Sequence, residues 1–406
     1  MAAGVQLPGS GETIELQQQV ARLQALLEAS RQVHSTIREN EVLEQVLRIV
    51  VRELEMAGAA FLGTKLSYGD LPDLDLELSD GDATSAHPNV ALAPGLTSYL
   101  LESREGKRMA ELVVAAPDGR DLTLYEADFI EGLALQAAVA LENARNHKRN
   151  VEFARVQQDI DAARLIQRSL LPQQLPTIEG YSVGFRSDTC YEVGGDYLDI
   201  LQQPDGSLLI AVADVAGKGL ASAMMASSFR SAFRAMAVTG MPLAELATRM
   251  NQHHWAEGEE ARRRYVTAIF LKLHPGSGEI EVVNAGHNPG FLIAPGIEPR
   301  QFNAAGTPLG LLPGMSYSSE KTSFLPGARL LFYTDGLTEV FQGDEEFGPE
   351  RLLNEFSTCP AQKADGILDA LWTTLNEFSD GPQGDDMTAL ALCRTTSSIS
   401  TMEIPA

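Results

Sequence analysis

The chain has 406 residues, 44% hydrophobic and 21% charged, enough for two or three domains that each bury a core. Its formal net charge of -24 argues against nucleic acid or an anionic membrane as a main partner, since phosphate backbones and acidic lipids attract basic surfaces. Cys190, Cys359 and Cys393 stand far apart without a CxxC pair, no apolar leader opens the chain, and no apolar run approaches the roughly 18 residues of a membrane span. A soluble, cytoplasmic protein without disulfides or zinc is therefore expected, with the short basic runs HKR (147–149) and RRR (262–264) read as solvated surface.

In chain order, residues 1–40 carry Leu16, Val20, Leu23 and Leu27 in steps of four and three, with Ile37 in the same register. Such a stripe fits either a coiled-coil seam between two copies or the apolar face of a surface helix. Glu41 to Glu55 is a second amphipathic segment, Ala59 to Thr64 a strand, and the acidic stretch Ser67 to Pro88 a loop. Arg108 to Ala115, the turn PDGR and Asp121 to Tyr125 read as a hairpin, so residues 41–135 make a small α/β module. Residues 126–172 hold no proline before Pro172 and no glycine after Gly132, and their composition favours one helix too long for a single globular layer. Leu133, Ala137, Ala140, Ala144, Val151, Ala154 and Leu165 share a heptad frame with His147, Gln158, Asp161 and Arg168, a seam weak enough to adjust. The proline-containing LLPQQLP (170–176) ends that helix.

Beyond Pro176 the pattern changes to period-two strands and tight turns. Strands are expected at Tyr181 to Ser187, Tyr197 to Gln202, Leu208 to Val215, Ala268 to His274, Gly278 to Ala285, Gly290 to Ala294, Ser316 to Phe324, Arg329 to Thr334 and Thr388 to Cys393. Helices are expected at Ala221 to Val238, Leu243 to Trp255 and Lys363 to Phe378. Strands and helices in blocks, rather than in strict βαβ alternation, favour an α+β sandwich over residues 173–396, with 397–406 as a tail.

Four acidic clusters stand beside glycines: VGGDYLD with Asp196 and Asp199, ADVAGKG with Asp214, YTDG with Asp335, and GDDMT with Asp385 and Asp386. Asp214 and Asp335 each follow a run apolar enough for a central strand, where a carboxylate costs several kcal/mol unless a positive charge meets it. Lys218 is the one cation in these motifs. Divalent ions can take that role, and a donor set of carboxylates, backbone oxygen and water indicates magnesium or manganese rather than zinc. Two such ions sharing one carboxylate would generate a hydroxide and clamp the leaving oxygen of a phosphate ester.

The ordered set VGGDY, DVAGKG, NAGHNP (284–289), GTPLGL (306–311), YTDGLTE and GDDMT resembles the SpoIIE/RsbU-like branch of metal-dependent (PPM) serine/threonine protein phosphatases. The resemblance covers about Ala163 to Arg394, including IQRSLLP (166–172), similar to the family's regulatory switch helix. It implies an α/β/β/α sandwich and two Mn2+ or Mg2+ ions. Asp214 would bridge them, the Val215 carbonyl would assist, Asp196 would serve the second ion, and Asp335 and Asp386 would hold the first. These four aspartates are the implied catalytic set, with Asp199 and Asp385 behind them. Ala216 stands where the family often has serine, and Arg186 is the candidate for a phosphate-binding arginine. His287 is read as a brace for its turn rather than a general acid. Lys218 is left between orienting substrate and balancing charge.

The earlier module, closing in DFIEGLALQAAVALENAR (128–145), resembles a GAF sensor domain, which implies an upstream activator or small ligand. The combined expectation is a homodimeric bacterial signalling phosphatase acting on phosphoserine or phosphothreonine of a protein. By resemblance its substrate is a STAS-type anti-sigma-factor antagonist. Movement of Ile166 to Leu171 against the catalytic core would provide control. Two rivals are weighed: a catalytically silent dimeric scaffold (a pseudophosphatase), and a diguanylate cyclase, since Gly194, Gly195 and Asp196 are similar to the start of GGDEF. Tyr197 and Leu198 break that second pattern.

Overall fold

The computed structural model describes residues 10–71 and 95–396. The chain divides into two compact units between Val156 and Gln157. In the first, α1 (Ser10–Val33) and α2 (Glu39–Glu53) precede β1 (Gly58–Phe61), β2 (Ser67–Gly69), β3 (Leu96–Glu102), β4 (Arg108–Ala115) and the start of α3 (Leu124–Leu170). The strands form one antiparallel sheet in the order β2-β1-β4-β3. Val42, Val46 and Val50 of α2, Phe61, Leu112 and Val114 of the sheet, and Ile130, Leu133, Ala137 and Leu141 of α3 share its core. Val20, Leu23, Leu27 and Ile37 are exposed. Of the α3 frame, Leu133 to Ala144 is buried and Val151 and Leu165 are exposed.

The expected hairpin is corrected. β4 pairs with β3 and β1, and Asp121 to Tyr125 is not a strand. Thr123 and Glu126 form a capping box instead: the Glu126 backbone N–H donates to Thr123 Oγ1 at 3.3 Å and the Thr123 N–H to Glu126 Oε2 at 2.7 Å. Arg120 adds two hydrogen bonds to that carboxylate and holds its pKa down at about 2. The turn chemistry starts a helix where the alternating pattern suggests a strand. Most of the expected loop Ser67 to Pro88 lies outside the described residues, as do residue 397 onward and residues 1–9; its first residues form β2.

The second unit is an α/β/β/α sandwich. It contains β5 (Tyr181–Asp188), β6 (Tyr197–Gln202), β7 (Leu208–Val215), α4 (Leu220–Ala237), α5 (Leu243–Ala256), α6 (Glu259–Arg263), β8 (Val266–His274), β9 (Glu279–Ala285), β10 (Gly290–Ala294) and β11 (Ile297–Phe302). There follow β12 (Glu320–Ser323), β13 (Arg329–Tyr333), β14 (Phe341–Gln342), β15 (Glu345–Glu346), α7 (Gly348–Thr358), α8 (Ala364–Phe378) and β16 (Met387–Arg394). Two antiparallel five-stranded sheets run β11-β10-β13-β16-β5 and β12-β9-β8-β7-β6. Their facing side chains, among them Ile210, Val212, Ile269, Leu271, Leu330, Phe332 and Leu390, make the middle of the sandwich. Phe229, Phe233, Leu246 and Met250 of α4 and α5 cover the outer face of one sheet. Phe356, Leu368, Leu371 and Trp372 of α7 and α8 cover the other.

β7 and β13 are interior strands, as their continuous apolar runs require. The expected strand Ser316 to Phe324 shrinks to β12, a sheet edge. β11, α6 and α7 were not foreseen: β11 is exposed at five of its six positions and so lacks apolar alternation. Among the described residues no helix is long and apolar enough to cross a membrane, and Cys190, Cys359 and Cys393 are free thiols.

Candidate active site

In an antiparallel sheet the end of one strand lies beside the start of its neighbour. Tyr197 of β6 pairs with Ala213 of β7, so one step further Asp196 stands across from Asp214. Tyr333 of β13 pairs with Ala389 of β16, which brings the turn at Asp335 beside Asp386. Each sheet thus delivers two aspartates, one where a central strand ends and one where its partner begins.

Contacts across the sandwich join the two pairs. Asp386 Oδ1 accepts the Cys190 N–H at 2.9 Å, and its Oδ2 accepts the Gly195 N–H at 2.8 Å. Thr334 Oγ1 donates to Asp196 Oδ2 at 2.8 Å. A Cβ at Gly195 would stand 2.8 Å from the Val215 carbonyl oxygen and 3.1 Å from Asp214 Oδ1, and one at Gly194 would overlap Asp386 Oδ2. These two positions require glycine because another loop's oxygens fill the side-chain space.

The assembly is short of positive charge. Burial first, and then the Asp214 and Asp386 carboxylates, raise the Asp196 pKa well above its usual range. Burial and the charges of Asp335, Asp385 and Asp386 push Asp214 up to about 7. Burial also raises Asp335 and Asp386, with Asp385 adding repulsion to both. Among the described residues no three acidic, histidine or cysteine side chains form a ready-made metal cage. The carboxylates nevertheless lie near enough to raise one another's pKa while their oxygens engage N–H and hydroxyl donors. All-oxygen chemistry with a charge deficit fits a hard divalent cation.

The other sequence candidates sort differently. Asp199 is fully buried on β6, where Arg234 Nε and Nη2 donate to it at 2.6 and 2.9 Å and the Tyr197 hydroxyl at 2.6 Å. Asp385 pairs with Lys218 at 2.8 Å, and Lys218 also donates to the Gly384 carbonyl at 2.7 Å, so this lysine closes the loop before Asp386. Arg186 lies over Trp372 and pairs with Asp188 and Asp369, which leaves it in structural contacts. His287 is buried with Nδ1 2.8 Å from Thr267 Oγ1, and burial lowers its pKa to about 4. Its N–H backbone group and the Asn284 amide lock the turn.

Gln167 was missed. Its side-chain amide clamps Gly194, donating to the carbonyl at 2.6 Å and accepting the N–H at 3.0 Å. The Leu170 carbonyl accepts from Arg230 Nε at 3.0 Å. Ile166, in the segment whose movement against the core was expected to provide control, is 63% exposed. Nothing in IQRSLLP singles Gln167 out from its polar neighbours Arg168 and Ser169, and Thr334 inside YTDG was overlooked similarly.

Two five-stranded antiparallel sheets between helix pairs, with aspartates gathered at one end, define a PPM (PP2C-type) phosphatase fold. Residues 204–395 match the family described as Stage II sporulation protein E (SpoIIE). The chain is 26% identical over 264 residues to Protein IcfG of Synechocystis sp., covering 58% of this chain and 41% of that protein. It is 25% identical over 183 residues to Phosphoserine phosphatase RsbP of Bacillus subtilis, covering 45% of each. It therefore spans less than half the length of these two relatives. Among solved structures, the SiaA-PP2C domain of Pseudomonas aeruginosa superposes with a TM-score of 0.52 at 24% identity, over 59% of this chain and 97% of that one. The second unit thus has the PP2C-type fold, and residues 204–395 within it are similar to the SpoIIE family.

Proposed function

We propose that the protein is a metal-dependent serine/threonine phosphatase of bacterial signalling that hydrolyses phosphoserine or phosphothreonine on a protein. The observation carrying this reading is the convergence of Asp196, Asp214, Asp335 and Asp386 with their carboxyl pKa values raised together. Asp214 would lie between two Mn2+ or Mg2+ ions beside the Val215 carbonyl, Asp196 on one side and Asp335 with Asp386 on the other. Such ions supply Lewis acidity toward a phosphoryl group and neutralise the cluster. Thr334 and the Cys190 and Gly195 N–H groups hold the aspartates in place, and Lys218 holds the Asp385 loop closed.

Similarity to a phosphoserine phosphatase supports a phosphoprotein substrate, which we take to be a STAS-type anti-sigma-factor antagonist in the cytoplasm. The exposed apolar stripe of α1 supports a homodimer. The first unit serves as a GAF-like sensor, receiving an activator or small ligand. Its signal reaches the site through the last turns of α3, where Gln167 clamps the loop before Asp196. Manganese-dependent phosphate release from a phosphoserine peptide tests the reading, and Asp214→Asn is expected to lower it about a thousandfold, the scale of several kcal/mol of lost metal stabilisation. A folded wild type without turnover would instead support the silent scaffold, and a full-rate Asp214→Asn chain would contradict the role given to Asp214.

A further inference from the structure

The loops that carry Asp335 and Asp386 continue outward into a groove to which the chemistry above assigns no role. It holds about 390 Å3, within the roughly 300–1,000 Å3 of ligand clefts. Gly336 and Gly384 line its inner end, each one residue from Asp335 or Asp385. Buried Leu375 and Met387 line its depth, while Val340 and Phe341 face the loop of Ser379 to Gln383.

Hydrogen bonds tie the two walls together. The Asp380 N–H donates to the Phe341 carbonyl at 3.4 Å, and Asp380 Oδ2 accepts the Gly343 N–H at 2.7 Å. The β14–β15 hairpin is thereby held beside the loop that leads to the aspartates. Phe341 is 47% exposed and gives the groove wall an apolar surface open to solvent. Glu339 lines the same groove and makes no side-chain hydrogen bond or ion pair among the described residues, and no lysine or arginine lines the walls. Acidic groups continue along the hairpin as Asp344, Glu345 and Glu346, of which Glu345 is paired with Arg351.

We infer that this groove seats the substrate segment beside the phosphorylated residue and selects a cationic side chain there, held by Glu339 and Asp380 with an apolar contact on Phe341. The groove opens from the catalytic loops, so a chain whose phosphoryl group reaches the aspartates passes along it. Its charge and its exposed aromatic ring match a basic segment bearing an apolar residue. The identity of the occupant rests on the phosphatase reading.

The test uses the full chain with manganese and two fluorescent peptides that carry a phosphonate in place of phosphoserine, flanked by arginine in one and glutamate in the other. Anisotropy reads binding without turnover, and p-nitrophenyl phosphate hydrolysis is followed in parallel. Arginine-flanked peptide is expected to bind about tenfold tighter, the scale of two partly screened ion pairs, with the preference shrinking at high salt. Glu339→Gln with Asp380→Asn should abolish the preference and leave p-nitrophenyl phosphate turnover unchanged. Phe341→Ser should weaken both peptides. Equal binding of the two peptides to wild type, or a preference that survives in the double variant, overturns the inference. Loss of p-nitrophenyl phosphate turnover in wild type with the peptide preference intact would sink the catalytic reading and leave the groove as a peptide site.

Discussion

Asp199 and Asp214 sit on neighbouring strands of the same sheet, both as carboxylates withdrawn from water, yet their surroundings are opposite. Asp199 has a guanidinium and a phenol within hydrogen-bond reach, so its charge is met by the fold. Asp214 faces Asp335, Asp385 and Asp386, and its pKa climbs to about 7. A buried acid with a partner braces the structure, whereas a cluster without one stores a cost that an added cation can relieve. The contrast distinguishes a structural carboxylate from a ligand even where both follow a GGD or an apolar strand.

The largest way to break the contrast is to remove each side's charge logic. Arg234→Met uncovers Asp199 and should cost about 3 kcal/mol in urea unfolding, because a fully buried carboxylate loses its cation and keeps only the Tyr197 hydroxyl and the Ile200 N–H. Asp214→Asn should move the metal-free chain the other way, by about 2 kcal/mol more stable at pH 8, since it deletes a repelled charge. Destabilisation by both variants would erase the distinction.

A smaller effect sharpens it. Gln167→Ala frees the loop before Asp196 without touching a carboxylate, and should lower manganese affinity about tenfold, as loss of an outer partner of a metal site does, while leaving the melting temperature near wild type. The smallest effect is on pH. With Asp214 at about 7 when folded and near its ordinary 3.8 when unfolded, the native state holds a proton that the unfolded chain releases between those values. Stability of the metal-free chain is greatest below that window and falls as pH rises through it. Its melting temperature should therefore drop by several degrees from pH 5.5 to 7.5, and the drop should shrink in Asp214→Asn.

Which parts of this were legible in the sequence follows from the same physics. β7 and β13 announce themselves because strands buried on both faces must be continuously apolar, and an aspartate at the end of such a run conflicts with burial. That conflict made Asp214 and Asp335 readable, and the glycines beside Asp196 and Asp386 marked loops that approach closely. Asp199 could not be separated from Asp196 by pattern, because its partner Arg234 lies 35 residues away on α4. β11 and α7 escaped since one is almost wholly exposed and the other buries only Leu352 and Phe356. The expected hairpin failed because the Thr123–Glu126 box, a local helix start, outweighs a short alternation.

Calorimetric titration of the full chain with manganese at pH 7.5 tests the central claim most directly. The account predicts two ions bound per chain with proton release, and loss of that binding in Asp214→Asn but not in Phe341→Ser. Absence of manganese binding to the folded wild type, or equal binding by Asp214→Asn, would contradict it.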